Sequence, residues 1–209
     1  MLERLIRGLV GHKPVELGRR FVSAVAGPAL TPLAERVLDH YRNRPPPQGA
    51  AFQAEARIFT EGLLQDTDPA ELVASLVISL PAITVEPLVE GARDYQVQNG
   101  YHSVIFHGLT RLEQIPVQDW RLSDRQIAAA LDSYERIMLV DPHRGLESRA
   151  FLAGIMKRAA SGGPAQRTAL VSFIDSALQS QQLGAPQFRI FVEEHLPCLL
   201  YTSPSPRDS

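Results

Sequence analysis

Apolar residues in this chain recur at helical spacing, and its one Asn-Gly pair, Asn99-Gly100, lies between two helical patterns rather than between alternating strands. Without hairpin signals a paired sheet has nothing to start from, so the expected fold class is all-α. Leu2, Leu5, Ile6 and Leu9 form a first stripe, and a second helix opens at Pro14 and carries Phe21, Val22 and Val25 before Gly27-Pro28 stops it. Thr31-Pro32 begins a third, through Leu33, Val37, Leu38 and Tyr41. The proline run in Arg42 to Gly49 cannot be helical, because each proline lacks an amide donor and pushes its predecessor out of the α region.

Beyond that stiff connector the spacing predicts helices over 51–64 and 68–80, the latter with Asp68 as N-cap, Pro69 as first helical residue and Glu71 reaching back to the cap. Further helices are expected over 86–98, ending in a left-handed cap at Asn99-Gly100, and over 101–114. A Ser123-capped helix with Gln126 at the capping-box position, one over 145–160, one after Gly163-Pro164 and one from near Pro186 complete the series. This gives about ten helices in a single domain, arranged either as a bundle or as a HEAT-like solenoid. The solenoid is suggested by helix pairs starting near Ala51, Glu86, Ser123 and Pro164, close to the roughly 40-residue period of two-helix repeats.

The end of the chain stands apart. Cys198 to Asp208, CLLYTSPSPRD, resembles the translation of a sequencing-library adapter, which makes 1–197 the helical domain and 198–209 a non-native tail on a C-terminally truncated protein. The part before it has no cysteine, which excludes a disulfide framework and thiolate metal sites and suits a reducing, cytoplasmic setting. With 21 basic and 23 acidic residues interspersed, no field favours nucleic acid or anionic lipid. The longest charge-free run, Leu72 to Val85, contains Pro81 and falls short of the roughly 20 residues of a membrane helix, so it reads as a core segment. Arg19-Arg20 faintly matches a twin-arginine signal but sits late and is followed by Pro28 and Pro32, so export is not expected.

Metal chemistry finds no support in the spacing. None of the six histidines has an acidic residue three positions before it, and His-Glu-x-x-His, Gly-x-Gly-x-x-Gly and Walker loops are all absent. The most unusual segment is Tyr101 to Leu112, where Ser103, His107 and Arg111 fall on one line of a helix while Ile105, Leu109 and Leu112 face elsewhere. An imidazole one turn from a guanidinium can move a proton beside a cation that holds an anion or enolate, although a surface stripe with one buried, satisfied histidine is the plainer alternative. His102 and His107 are about 140° apart around such a helix and cannot share a ligand. His12, just before a proline-started helix with Glu16 one turn on, is either a proton carrier or a capping residue. His40, His143 and His195 have turn or helix-dipole roles, and Trp120 reads as an anchor packed on the core.

Taken in order, His12-Lys13-Pro14-Val15-Glu16, the connector Tyr41-Arg42-Asn43-Arg44-Pro45-Pro46-Pro47, His107-Gly108-Leu109-Thr110-Arg111 and the alanine-rich Gln126 to Leu131 with Tyr134 resemble the questin oxidase-like family. The chain departs from that pattern at Gly11, where the family has asparagine, and at Glu113-Gln114, where a second histidine is expected. The resemblance implies an oxidoreductase that uses NADPH and oxygen to open a ring of an aromatic polyketide ketone in a Baeyer-Villiger manner. It would gather His12, His107 and Arg111 around one pocket, with His107 moving protons and Arg111 stabilising peroxy or enolate charge. No dinucleotide fingerprint is present, so NADPH rests on the resemblance alone. The alternative is a non-catalytic helical-repeat scaffold that holds a protein partner in a groove. Converging His12 and His107 would support the enzyme, and helix pairs stacked in a row the scaffold.

Overall fold

The computed structural model describes residues 30–43, 49–84, 94–140, 148–179 and 185–196, and all secondary structure among them is helical. The helices are α1 (Pro32–Asn43), α2 (Ala50–Leu63), α3 (Pro69–Thr84), α4 (Tyr95–Leu112), α5 (Asp124–Val140), α6 (Arg149–Ser161), α7 (Pro164–Gln179) and α8 (Ala185–His195), with a short 3₁₀ turn over Val117–Asp119. The two helices expected before residue 28 lie outside the described residues. None of the helices is long and apolar enough to cross a membrane.

Local rules account for most of the helix starts. The Asp68 carboxylate accepts from the Ala70 amide at 2.9 Å, Thr31 Oγ1 accepts from the Ala34 amide at 3.2 Å, and Ser123 with Gln126 closes a capping box. The expectation fails at Asn99-Gly100. No left-handed cap forms there, since the only positive φ among the described residues is at Gly49, and one continuous helix runs from Tyr95 to Leu112. That helix starts instead at Asp94, whose side chain accepts from the Gln96 amide at 2.7 Å. Gly100 is needed mid-helix for another reason: a Cβ there would lie 2.5 Å from the Tyr41 ring of α1.

Helix α3 also outruns its expected end at Leu80, continuing through Pro81 to Thr84. A proline inside a helix deprives the carbonyl four residues back, here Val77, of its donor. Side-chain hydroxyls serve the carbonyls on either side: Tyr101 donates to Leu76 at 2.7 Å, and Ser133 lies 3.0 Å from the Ile78 carbonyl. Burial holds this segment in place, because Leu72 to Val77 and Ser79 to Ile83 are all buried, as the charge-free run required. Each branched apolar side chain so buried contributes roughly 1.5–3 kcal/mol.

Helix α3 is therefore a wall shared by two cores. One face (Leu72, Leu76, Leu80, Ile83) packs with α1, α2 and α4 around Tyr41, Tyr101 and Val104. The other (Ala70, Val73, Ala74, Val77) packs with α5 to α8 around Trp120, Tyr134, Phe151, Phe173 and Phe188. Along the array α1 packs on α3, α3 on α5 and α5 on α7, while α4, α6 and α8 each pack on the helix before them and α2 lies on α4. Trp120 is the anchor expected of it, 6% exposed, stacked on Phe151 and donating from Nε1 to the Ile115 carbonyl at 3.1 Å.

Candidate functional site

Because α4 touches α2 and α3 while α6 lies further along the array, a concave space opens beside α4. Its volume is about 540 Å³, inside the roughly 300–1,000 Å³ range of ligand sites. Val77 and Leu80 of α3 line it, with His102, Ser103, Ile105, Phe106 and Leu109 of α4, Gln53 of α2 and Ser148 at the start of α6. The lining is mostly apolar, and Phe106 stands 62% exposed in it. His102, Ile105, Phe106 and Leu109 follow one another at helical spacing, so this stripe was open to detection in the sequence. Its partners on α3 were not, since nothing local ties residue 77 to residue 106.

The line of Ser103, His107 and Arg111 runs from this cleft onto α2. Ser103 is buried at the cleft wall. His107 is half-buried, with its Nε2 lacking any hydrogen-bond partner among the described residues. Burial lowers its affinity for a proton and the Arg57 guanidinium acts in the same direction, against smaller opposing effects of the Gln53 carbonyl and Glu61. A neutral imidazole in this setting is a competent proton acceptor. Arg111 is committed to α2 as well: its Nε lies 2.7 Å and its Nη2 2.5 Å from Glu61 Oε1, both partners being about half exposed. His107 and Arg111 are thus brought to one helix interface beside the cleft, and His12 lies outside the described residues.

The structure also assembles a polar cluster that sequence reasoning left as a helix end. His40 Nε2 contacts Glu55 Oε1 across α1 and α2, and the imidazole stacks on Phe59 with ring centroids 3.8 Å apart. Tyr41, 3% exposed, brings its hydroxyl to the same carboxylate, so that burial first and Glu55 second make the phenol much harder to ionise. His40 and Glu55 are separated by the proline connector, and no spacing rule links them. At the other end of the chain, His195 closes α8 with Nδ1 3.0 Å from the Phe191 carbonyl, the helix-end role expected of it. Among the described residues no group of three or more His, Cys, Asp or Glu could hold a metal ion.

Compared with family models, curated proteins and solved structures, the chain gives no significant match in any of the three.

Proposed function

We propose that this chain is a non-catalytic helical scaffold whose cleft beside α4 takes an apolar helical segment of a protein partner. The observation that carries this reading is Phe106, a large ring left 62% exposed in a concave surface whose neighbours Val77, Leu80, Ile105 and Leu109 are apolar. A lone exposed ring means little, but one that joins an apolar hollow rimmed by polar groups marks an interaction site. Gln53, His102, Ser103 and Ser148 provide such groups. Helix-in-groove recognition places apolar side chains at i, i+3 or i+4 and i+7 in a hollow of this kind.

The succession of packed helices supports the same reading. The odd helices α1, α3, α5 and α7 pack in sequence and α4, α6 and α8 each pack on the helix before them, as in stacked repeats, whereas α2 packs chiefly on α4. The starts of α5 and α7 match the pair starts expected near Ser123 and Pro164, whereas the expected start near Ala51 does not begin a pair here and Glu86 lies outside the described residues. His107 and Arg111 then serve to seat α2 on α4, and the cysteine-free composition before residue 198 fits a cytoplasmic setting. Selection of displayed helical peptides against the protein tests the proposal. Enriched peptides are expected to carry apolar residues at i, i+3 or i+4 and i+7, and to lose at least about tenfold in affinity for Phe106→Asp. Peptides indifferent to that substitution overturn it.

One observation favours a second reading, the NADPH- and oxygen-dependent oxidoreductase: His102 and Ser103 put an imidazole and a hydroxyl on the wall of an apolar cleft large enough for an aromatic ketone. The reaction would insert one oxygen atom beside the carbonyl while NADPH reduces the other to water. His107 would carry the protons, and Arg111 would have to leave Glu61 to stabilise developing anionic charge. Aerobic NADPH consumption that is unchanged in His107→Ala removes this reading.

A further inference from the structure

Asn99-Gly100 is the one Asn-Gly pair of the chain, whose other asparagine, Asn43, precedes an arginine. Packing rather than a turn fixes the pair. The Tyr41 ring of α1 lies 2.5 Å from where a Cβ on residue 100 would be, so no side chain is tolerated after Asn99. Glycine after asparagine is the combination that cyclises most readily, because the following amide nitrogen is then unhindered by a Cβ. Asn99 is exposed and Gly100 buried, and both stand inside the 18-residue helix α4. A reactive pair is therefore held in a conformation that keeps it from reacting.

We propose that Asn99 is a site of spontaneous deamidation, gated by opening of the N-terminal half of α4. In the reaction the Gly100 nitrogen, its proton lost to hydroxide, attacks Asn99 Cγ. The new N–Cγ bond closes a five-membered succinimide as the Cγ–Nδ2 bond breaks, and ammonia leaves with a proton from solvent. Water then opens either carbonyl of the ring and leaves aspartate or isoaspartate at position 99. The closed helix blocks the first step, because the Gly100 N–H is directed at the Gln96 carbonyl four residues back and helical dihedrals hold the nitrogen off the line to Cγ. That turn is locked at Asp94, whose carboxylate accepts from the Gln96 amide at 2.7 Å and the Val97 amide at 3.4 Å. The change is one-way, since isoaspartate adds a methylene to the main chain and breaks the helical repeat. Ser103 and Phe106 of the cleft wall lie about one and two turns further along the same helix.

Incubation of the whole chain at pH 8, with and without denaturing urea, tests the site. Peptide mass spectrometry reads the amide-to-acid conversion, and methyltransferase labelling reads the isoaspartate. Conversion at Asn99 is expected to be at least about tenfold slower in the folded protein than in urea, because the helix must open first. Asp94→Ala should speed the folded reaction about fivefold, the factor by which loss of an N-cap shifts a helix-opening equilibrium, whereas Asp94→Ser keeps a cap and should stay near the original rate. Equal rates in the folded and unfolded chain overturn the proposal, and so does an Asp94→Ala rate no faster than that of the unsubstituted protein. Should Asp94→Ala fail to fold, urea below the unfolding transition decides. The conversion rate of the unsubstituted protein must then climb in step with hydrogen exchange in peptides from 95–101, and a rate flat in urea also overturns the gate.

Discussion

The indole of Trp120 occupies the space in which a Cβ on residue 154 would lie, so α6 has a glycine at its centre because the ring is packed close against its backbone. The ring cannot withdraw. It is stacked on Phe151 with centroids 5.4 Å apart and tied through Nε1 to the Ile115 carbonyl. Gly154→Ala should therefore overpack the core, at a cost of roughly 1–3 kcal/mol, against a helix-propensity gain of about 1 kcal/mol. Gly62 is the control: it lies in α2 with open space around its Cα, and Gly62→Ala should stabilise by about 0.5–1 kcal/mol. Urea midpoints of the two variants should move in opposite directions, and a stabilised Gly154→Ala would show that Trp120 is not fixed there.

Two buried tyrosines make a second pair. Tyr101, fully buried, donates from its hydroxyl to the Leu76 carbonyl at 2.7 Å, next to the carbonyl that Pro81 leaves without a donor. Tyr101→Phe strands that acceptor and should cost about 1–2 kcal/mol. Tyr41 is almost as deeply buried, but its hydroxyl only faces the Glu55 carboxylate without the close geometry that Tyr101 has with Leu76. Tyr41→Phe should therefore cost less than Tyr101→Phe, below about 1 kcal/mol. Thermal melts of both variants at neutral pH check the contrast, which disappears if the two losses are equal.

Local chemistry explains which features could be read from the sequence. The Asp68 cap, the Ser123–Gln126 box, the helix starts at Pro32 and Pro164 and the buried run in α3 each depend on residues within four positions of one another. Asn99-Gly100 misled because a glycine permits a left-handed cap without requiring one, and Tyr41, 59 positions earlier, is what needs the missing side chain. The cleft was half legible: its α4 stripe follows helical spacing, whereas Val77, Leu80 and Ser148 join it only through packing. The His40–Glu55 contact has no local signature at all.

Arg111 and Glu61 provide a test of how much the visible ion pair matters. Both are about half exposed, so water and salt screen the charges and ordering the two long side chains costs entropy. Glu61→Gln should change stability by less than about 1 kcal/mol at low salt, and by less still in 0.5 M salt. Equilibrium unfolding at two ionic strengths measures this. A larger loss would mean that the seating of α2 on α4 depends on charge rather than on the apolar contacts of Phe52, Ala56 and Leu63.

His107 should give the protein a stability that rises with pH through the imidazole range. Burial and the Arg57 guanidinium lower its proton affinity in the folded state below that of an unfolded histidine. In the interval between the two values the unfolded chain binds more protons than the folded one, so stability rises with pH there. As pH falls from 7 to 5, the unfolded state is protonated first and the folded state is penalised. His107→Gln removes this contribution, so its urea midpoint should fall less over that range than that of the unsubstituted protein. Arg57→Gln should have a partial effect, because it leaves the burial in place and deletes only the neighbouring charge. If His107→Gln and the unsubstituted protein lose stability in parallel, the imidazole exchanges with water freely enough to keep its ordinary proton affinity, and its candidacy as a neutral proton acceptor ends with that result.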